Sequence, residues 1–253
     1  MKNEIKIFVV THKKAKFPDK EYYVPIQAGT EINDDLGYTA DNIGDNISNK
    51  NKNYCELTAL YWIWKNCNAD IVGLNHYRRY FFKNRFCSKI DKVINDEEII
   101  SYIQKYDMII PEPEYILKYT IKEEYEKKHH IKDLDNCRNI IQKKYPDYVE
   151  AFDKVINSKK MRQYNMLITK KELFDKYCEW LFSILFELES ITNISQYDDY
   201  NKRIYGFLSE RLFNVWLEKN NNIKIKELPV NNIESGSMKW QIKNQIKKII
   251  IRS

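Results

Sequence analysis

The stretch ADIVGLNHYRRYFF, residues 69–82, joins a short run of aliphatic residues to a polar and basic segment. The aliphatic part favours a buried strand, because it is short, is rich in branched side chains and follows a helical pattern. His76, Arg78 and Arg79 stand at its carboxyl end, where open α/β sheets bind ligands. Two adjacent guanidinium groups suit a phosphate or diphosphate. We therefore predict an anion site here; the alternative is a continuing strand on which Arg78 and Arg79 point to opposite faces.

Segments that favour strands alternate with segments that favour helices along the chain. Strands are predicted at residues 5–10, 69–75, 107–110, 163–168 and 223–228. Helices are predicted at residues 54–67, 95–106, 170–189 and 201–220. The second of these helices opens with Asn95 and Glu98, which have the spacing of a capping box. This alternation indicates an α/β fold with a mainly parallel, Rossmann-type sheet flanked by helices.

Two segments differ from this alternating pattern. Residues 29–53 are polar and rich in turn residues, and loops of that length are often binding loops. Residues 118–160 are charged and helical in period, with a break at Pro146, and they resemble an inserted helical lobe. We predict one domain over residues 1–234 that contains this insertion, followed by a basic tail at residues 235–253.

Composition restricts the class of protein. The chain has 253 residues, of which 43% are hydrophobic, and a net charge of +6, so it is globular. Its five cysteines are odd in number and form no Cys-x-x-Cys pair, which favours free thiols in a cytoplasmic protein. No run reaches the ~18 apolar residues of a membrane span, and no signal peptide is visible.

The basic charge is concentrated in the tail, and the remainder of the chain is close to neutral. The tail carries no acidic residue after Glu234, and its basic residues are Lys239, Lys243, Lys247, Lys248 and Arg252. A nearly neutral body argues against a nucleic-acid partner. The tail isoleucines, at 242, 246, 249 and 250, follow helical spacing. This pattern predicts a helix lying on an anionic membrane surface, peripheral on the inner face of the plasma membrane; the alternative is a terminal helix that packs on the body.

Two further segments carry side chains that are suited to catalysis or to ligand binding. Glu210 lies among apolar neighbours and beside Arg211 in GFLSERLF, so it is either a general base or one half of a buried ion pair. Asp45, Asn46 and Ser48 lie in GDNISNK, where they either bind ribose and sugar hydroxyls or form a solvated turn.

Patterns for metal and phosphate-loop sites are weak or absent. The pair His129–His130 has no third ligand at a standard spacing. The motif Asp133-Leu134-Asp135 lies in a charged helical stretch and not after an apolar strand, so we interpret it as incidental. The glycine-rich phosphate loop and the common hydrolase motifs do not occur. No metal site is predicted.

Several long blocks of the sequence resemble a known bacterial family. The blocks are IKIFVVTHKK, GDNISNKNKNYCELTALYWIWKN, DIVGLNHYRRYF, QYNMLITKKELFDKYCEWLFSILFELE and RIYGFLSERLFNVWL. Together they resemble the DUF4422 family, which is associated with capsular and exopolysaccharide gene clusters. The resemblance implies a GT-A-like glycosyltransferase that uses a nucleotide-sugar donor. HYRR stands where such enzymes usually carry the metal-binding Asp-x-Asp, so no cation is expected to be required; Mn²⁺ or Mg²⁺ dependence is the alternative.

The resemblance also implies substrates and residue roles. The donor would be a UDP-sugar, such as UDP-galactose in pyranose or furanose form, and the acceptor a growing capsular, exopolysaccharide or O-antigen glycan, free or lipid-linked. Glu210 and His76 would be catalytic, with Glu210 deprotonating the acceptor. The donor would be held by Thr11, His12, Asp45, Asn46, Ser48, Arg78 and Arg79. The alternative function is a non-catalytic nucleotide-sugar or glycan-binding partner in polysaccharide assembly.

Overall fold

A computed structural model describes residues 3–116 and 118–234. Its strands are β1 (Ile5–Thr11), β2 (Tyr23–Gln27), β3 (Thr39–Ala40), β4 (Ile71–His76), β5 (Arg79–Phe81), β6 (Met108–Pro111), β7 (Glu114–Tyr115), β8 (Lys160–Met161), β9 (Leu167–Lys170), β10 (Ile225–Leu228) and β11 (Val230–Asn232). Its α-helices are α1 (Asn51–Tyr54), α2 (Leu57–Asn66), α3 (Asp96–Ile103), α4 (Ile121–Lys128), α5 (Ile131–Lys144), α6 (Val149–Ile156), α7 (Lys171–Ile191) and α8 (Ile204–Lys219).

The main sheet has the strand order β10-β6-β9-β4-β1-β2-β3. The pairs β1–β2, β1–β4, β2–β3 and β6–β10 are parallel, whereas β9 runs antiparallel between β4 and β6. The predicted mainly parallel sheet flanked by helices is confirmed. In the register of β1 with β4, Val10 lies opposite His76. The carboxyl ends of these two strands therefore meet at one edge of the sheet.

The chain reverses directly after β4. Tyr77 and Arg78 form a turn, and β5 then pairs antiparallel with β4 through His76 and Arg79. The arginines therefore lie on a reversing segment and not on one continuing strand. This turn places them beside the end of β1.

The predicted strand at residues 163–168 is wrong in its first half. Tyr164 and Asn165 have φ angles of +80° and +49°, in the left-handed region that an extended strand cannot contain. The strand begins only at Leu167. Residues 162–165 instead form an irregular segment that the site uses.

Two hydrophobic clusters cover the two faces of the sheet. The larger cluster includes residues from α2 and from all of the helices α4 to α8, and the smaller one contains α3 and β5 residues. Gly73 lets β9 approach β4, because a Cβ atom at this position would lie 2.7 Å from Ile168 Cγ1 and 2.9 Å from the Leu167 carbonyl oxygen. Replacing Gly73 would force the two strands apart behind the site.

The segment predicted as a helical lobe contains α4, α5 and α6, with a 3₁₀ turn at Pro146–Tyr148 that separates the last two. Its buried residues, which include Leu134 and Phe152, belong to the same hydrophobic cluster as α7 and α8. The segment therefore shares the core that supports the sheet.

The predicted capping box of α3 is confirmed, with Asn95 Oδ1 accepting from the Glu98 amide and Glu98 Oε2 accepting from the Asn95 amide.

Three further predictions concern the C-terminal tail, the cysteines and membrane-spanning helices. The tail helix at residues 235–253 lies outside the described residues. All five cysteines are free. Among the helices of residues 3–116 and 118–234, none has the length and apolar character that a bilayer crossing requires.

Candidate functional site

A cleft of about 630 Å³ opens at the carboxyl ends of β1 and β4. Thr11 and His12 border it from β1, and His76 borders it from β4. The N-terminus of α2 and the middle of α8 also border the cleft, through Glu56 and Glu210. The site therefore forms where two parallel strands end, which is the position that open α/β sheets use for ligands.

Both predicted arginines line this cleft. The Arg79 guanidinium carbon lies 4.4 Å from the centre of the Tyr164 ring, and that of Arg78 lies 5.6 Å from the Tyr77 ring. Arg78 Nε is buried without a hydrogen-bond partner in the described residues. No carboxylate of those residues is within ion-pair distance of either arginine, although the structure contains many such pairs elsewhere. Both guanidinium groups thus retain donors for an anionic ligand.

Arg203 and Lys52 add positive charge from the other side of the cleft. Arg203 Nε lies 3.2 Å from Cys55 Sγ, and Arg203 is exposed at the start of α8. Four cationic side chains therefore face two carboxylates, those of Glu56 and Glu210. This excess suits a ligand with two or more negative charges.

His76 is neutral in this site. Its Nε2 lies 2.7 Å from the Tyr164 carbonyl oxygen, and because a carbonyl only accepts, Nε2 carries the proton. Burial lowers the pKa of His76 to about 4, although the Tyr164 hydrogen bond opposes the shift. His76 therefore fixes the 162–165 segment against the end of β4, and its Nδ1 is unprotonated.

The depressed pKa of His76 predicts a pH-dependent stability. Between about pH 6.5 and pH 4 the unfolded chain protonates this histidine and the folded chain does not, so the free energy of unfolding falls as the pH falls. The contribution is about 3 kcal/mol over that range. His76→Gln keeps an N–H donor for the Tyr164 carbonyl and removes the titration. We expect urea unfolding at pH 7 and pH 4 to show a smaller loss of stability in His76→Gln than in the wild type. Parallel pH dependence in the two proteins would contradict this assignment.

Glu210 forms the ion pair considered from the sequence and also faces the cleft. Its Oε2 lies 3.4 Å from Arg211 Nη1, and its Oε1 accepts a hydrogen bond from the Tyr164 amide at 3.0 Å. Its side chain is still 23% exposed and lines the cleft. Burial raises the pKa of Glu210; Arg211 lowers it, and the neighbouring Glu56 raises it further. A carboxylate with a raised pKa that faces a cleft is a suitable general base.

Glu56 is a site residue that the sequence did not reveal. It lies at the N-terminus of α2, and its Oε1 accepts a hydrogen bond from Asn165 Nδ2 at 2.9 Å. Burial raises the pKa of Glu56. Glu56, Tyr164 and Arg203 come from three distant segments and carry no local motif, so only the packing of these segments identifies them.

Thr11 and His12 reach the cleft in different ways. The Thr11 hydroxyl is buried and donates to the Lys13 carbonyl oxygen at 2.6 Å, so it stabilises the end of β1. His12 is exposed and lies edge-on to Tyr77, with ring centres 5.5 Å apart. Although part of its surface is exposed, partial burial of the ring lowers the pKa of His12, and the positive charges of Lys13 and Arg78 lower it further. His12 is therefore the more accessible of the two side chains.

Asp45, Asn46 and Ser48 do not line the cleft. Asp45 Oδ1 accepts from the Tyr61 hydroxyl at 3.0 Å, and Asn46 Oδ1 accepts from the Ser48 amide at 3.1 Å. Ser48 Oγ donates to the buried Asp41, which also accepts from the Gly29 amide at 2.8 Å. These side chains therefore bond within the protein, as in the turn alternative, although Ser48 is buried and not solvated.

The weak metal patterns lie elsewhere. Asp133 is buried in α5 and accepts from the Tyr197 hydroxyl at 2.9 Å, while His129 Nδ1 lies 2.9 Å from Asn201 Oδ1. Asp70 accepts from the Glu4 amide at the opposite end of β4. The described part of the chain holds no group of three or more His, Cys, Asp or Glu side chains arranged for a metal ion.

Comparison with known proteins identifies the family of this chain. The family model of DUF4422, a domain of unknown function, matches residues 6–221. The chain belongs to the DUF4422 family. No curated protein matches the chain.

A solved structure matches this DUF4422 chain closely. It is the apo structure of WbbM, described as a bifunctional glycosyltransferase, with a TM-score of 0.85 and 31% sequence identity. The match covers 92% of this chain and 46% of the WbbM chain, so this chain spans about half the length of that protein.

Proposed function

We propose that this protein is a glycosyltransferase that moves a sugar from a nucleoside-diphosphate donor to a glycan. The observation that carries the proposal is the cleft at the ends of β1 and β4, where Arg78 and Arg79 lack carboxylate partners in the described residues and face Glu210. The match to a bifunctional glycosyltransferase supports the reaction class. The proposed donor is a UDP-hexose such as UDP-galactose, in pyranose or furanose form. The proposed acceptor is a growing capsular, exopolysaccharide or O-antigen glycan.

Charge neutralisation of the leaving group is the first task of the site. A departing nucleoside diphosphate gains negative charge on its terminal phosphate, and positioned cationic groups stabilise that charge. Arg78 and Arg79 lie at the strand end where the diphosphate would lie, and Arg203 faces them from α8. In this proposal His12, beside Tyr77, lies at the nucleoside end of the cleft.

Proton removal from the acceptor is the second task. The acceptor oxygen forms a bond to the anomeric carbon as the bond from that carbon to the diphosphate oxygen breaks, and the bonding electrons leave with the diphosphate. In an inverting reaction the hydroxyl proton passes to Glu210. Glu56 lies near Glu210 and helps to keep its pKa raised, so Glu210 is closer to the pKa that proton transfer near neutral pH requires.

A donor panel tests this proposal. UDP-, GDP- and dTDP-sugars are added to the full chain in a thermal-shift assay, and donor consumption is followed by chromatography. A donor at 100 times its dissociation constant adds ~2.7 kcal/mol to the stability of the folded state, which is readily measured. A stabilising donor that is also consumed supports an enzyme. A stabilising donor that is never consumed favours the non-catalytic binding partner.

Metal dependence is a separate prediction. We expect donor turnover to survive EDTA, because Arg78 and Arg79 supply the positive charge that a divalent cation supplies in other glycosyltransferases. The measurement compares initial rates in EDTA, Mg²⁺ and Mn²⁺ after prior chelation. Complete loss of activity in EDTA that Mn²⁺ restores would contradict the prediction and would point to Glu56 and Glu210 as candidate ligands.

The cellular location is also a proposal. A cytoplasmic enzyme acting on a lipid-linked acceptor benefits from residence at the membrane, and residues 235–253 combine five basic side chains with helically spaced isoleucines. We propose that this tail holds the protein on the inner face of the plasma membrane. Its support is the sequence pattern alone.

A further inference from the structure

A second cleft, of about 590 Å³, adjoins the first at Glu210. Glu210 lines both clefts, so its carboxylate stands at the boundary between them. The strand-end arginines, Arg78 and Arg79, line the first cleft and not the second. The two clefts differ in chemistry, and that difference indicates what the second one binds.

The second cleft presents aromatic side chains to solvent. Tyr200 and Tyr119 are 51% and 36% exposed, which is high for large rings that line a cavity. The Tyr200 ring packs against Phe207 and His129, which also line the cleft, with ring centres 5.0 Å and 5.6 Å away. This packing fixes the Tyr200 ring as a flat, exposed surface. Exposed aromatic patches in a concave site mark ligand-binding surfaces.

Most of the charges of the second cleft are paired within it. The exception is Lys118, an exposed lining residue that has no ion-pair partner among the described residues. Glu124 pairs with Lys128 and, at 2.9 Å, with Arg211 Nη2. Arg211 also contacts Glu210. The Arg211 side chain is 5% exposed, so its guanidinium group is committed to these carboxylates. Three cations therefore meet two carboxylates in this cleft, whereas four meet two in the first. The smaller excess of positive charge suits an uncharged polar ligand better than the first cleft does.

We infer that the second cleft binds the acceptor as a neutral saccharide, with the apolar face of a pyranose ring on Tyr200 and Tyr119. The C–H face of a sugar carries partial positive charge and complements the negative face of an aromatic ring. Glu210 then lies between the acceptor hydroxyl on one side and the donor on the other, as the transfer step requires. This inference rests on the proposed function and adds the chemical class of the acceptor and the residues that hold it.

A glycan array tests the inference. The full chain, labelled with a fluorophore, is applied in the presence of UDP to an array of bacterial surface oligosaccharides. We expect binding to at least one neutral saccharide, and we expect Tyr200→Ala and Tyr119→Ala each to weaken it by 10-fold or more. Phe86→Ala is the matched control, because Phe86 is a 45% exposed aromatic residue that lines neither cleft. UDP affinity, measured by calorimetry, should be unchanged in all three variants.

The possible outcomes separate this inference from the proposed function. Absence of UDP binding in the wild type would refute the proposed UDP donor, and absence of binding to UDP, GDP and dTDP alike would refute the proposed function itself. Normal UDP binding with no saccharide bound, or with saccharide binding unaffected by Tyr200→Ala, would overturn the acceptor site alone. If Tyr200→Ala instead converts a dimer to a monomer in sedimentation while saccharide binding is unaffected, the cleft is an interface between two copies of the chain and the inference is wrong.

Discussion

Glu210→Gln is expected to lower turnover by roughly 10²–10⁴-fold while donor affinity stays within a few-fold of the wild type. Glutamine keeps the shape of the side chain, and its amide oxygen can still accept from the Tyr164 amide, as Glu210 Oε1 does at 3.0 Å. It cannot take a proton from the acceptor at neutral pH. Single-turnover rates and calorimetric UDP binding measure the two effects separately.

The matched control for this variant is Glu218→Gln. Glu218 lies on the same helix, α8, and forms a surface ion pair with Lys154, so it shares the chemistry of the change but not the position. Full activity in Glu210→Gln, or a large fall in melting temperature with normal specific activity of the folded fraction, would assign Glu210 to the Arg211 ion pair alone. If Glu210 is the base, kcat/KM falls at low pH as its carboxylate is protonated. We expect this fall at a higher pH than an ordinary glutamate would give, because burial raises the pKa of Glu210.

Arg78→Ala and Arg79→Ala are expected to weaken UDP binding by about 1.5–3 kcal/mol each, which is roughly 10- to 150-fold. Each change removes a charge-assisted contact to the diphosphate and leaves the sheet intact, because Arg78 lies in the β4–β5 turn and Arg79, the first residue of β5, pairs through its backbone. Calorimetry with UDP and with uridine isolates the contribution of the diphosphate. Because uridine lacks the diphosphate, it should bind to the variants nearly as tightly as to the wild type.

Arg138→Ala is the matched control for the arginine variants. Arg138 lies on α5 and pairs with Asp153 on the surface, away from both clefts. It should bind UDP as the wild type does. Equal UDP affinity in the wild type, Arg78→Ala and Arg79→Ala would remove the strand-end arginines from the site. A double variant shows whether the two guanidinium groups act on the same phosphate, because coupled groups give a non-additive loss.

Most of the fold follows from local patterns in the sequence. Hydrophobic period distinguished the long helices α7 and α8 from the short strands β1 and β4, and the Asn95–Glu98 capping box marked the start of α3. The error at residues 163–168 has a physical cause, because apolar composition favours a strand while two left-handed residues, Tyr164 and Asn165, prevent one. A single sequence does not reveal that Asn165 Nδ2 bonds to Glu56 and Ser209, contacts that hold this conformation.

The site was only partly predictable for a similar reason. Arg78, Arg79 and Glu210 stand out because charged side chains follow or interrupt an apolar run. Arg203 does not stand out from its sequence neighbours in this way. It reaches the site because α1 packs against the start of α8, where Asn53 Nδ2 donates to the Lys202 carbonyl oxygen at 2.9 Å. The loop residue Ser48 shows the converse error, because polar composition does not distinguish a loop that bonds to itself from one that bonds to a ligand.

Sugar transfer itself is the most direct test of this account. The measurement is mass spectrometry of the saccharides that the protein binds, after incubation with the donor that stabilises it most, together with chromatography of the nucleotide. We predict that a saccharide gains one donor sugar as the donor is converted to the nucleoside diphosphate, and that Glu210→Gln forms at most a hundredth as much product in the same time. A donor that is bound tightly yet never transferred, or transfer at an undiminished rate by Glu210→Gln, would contradict the account.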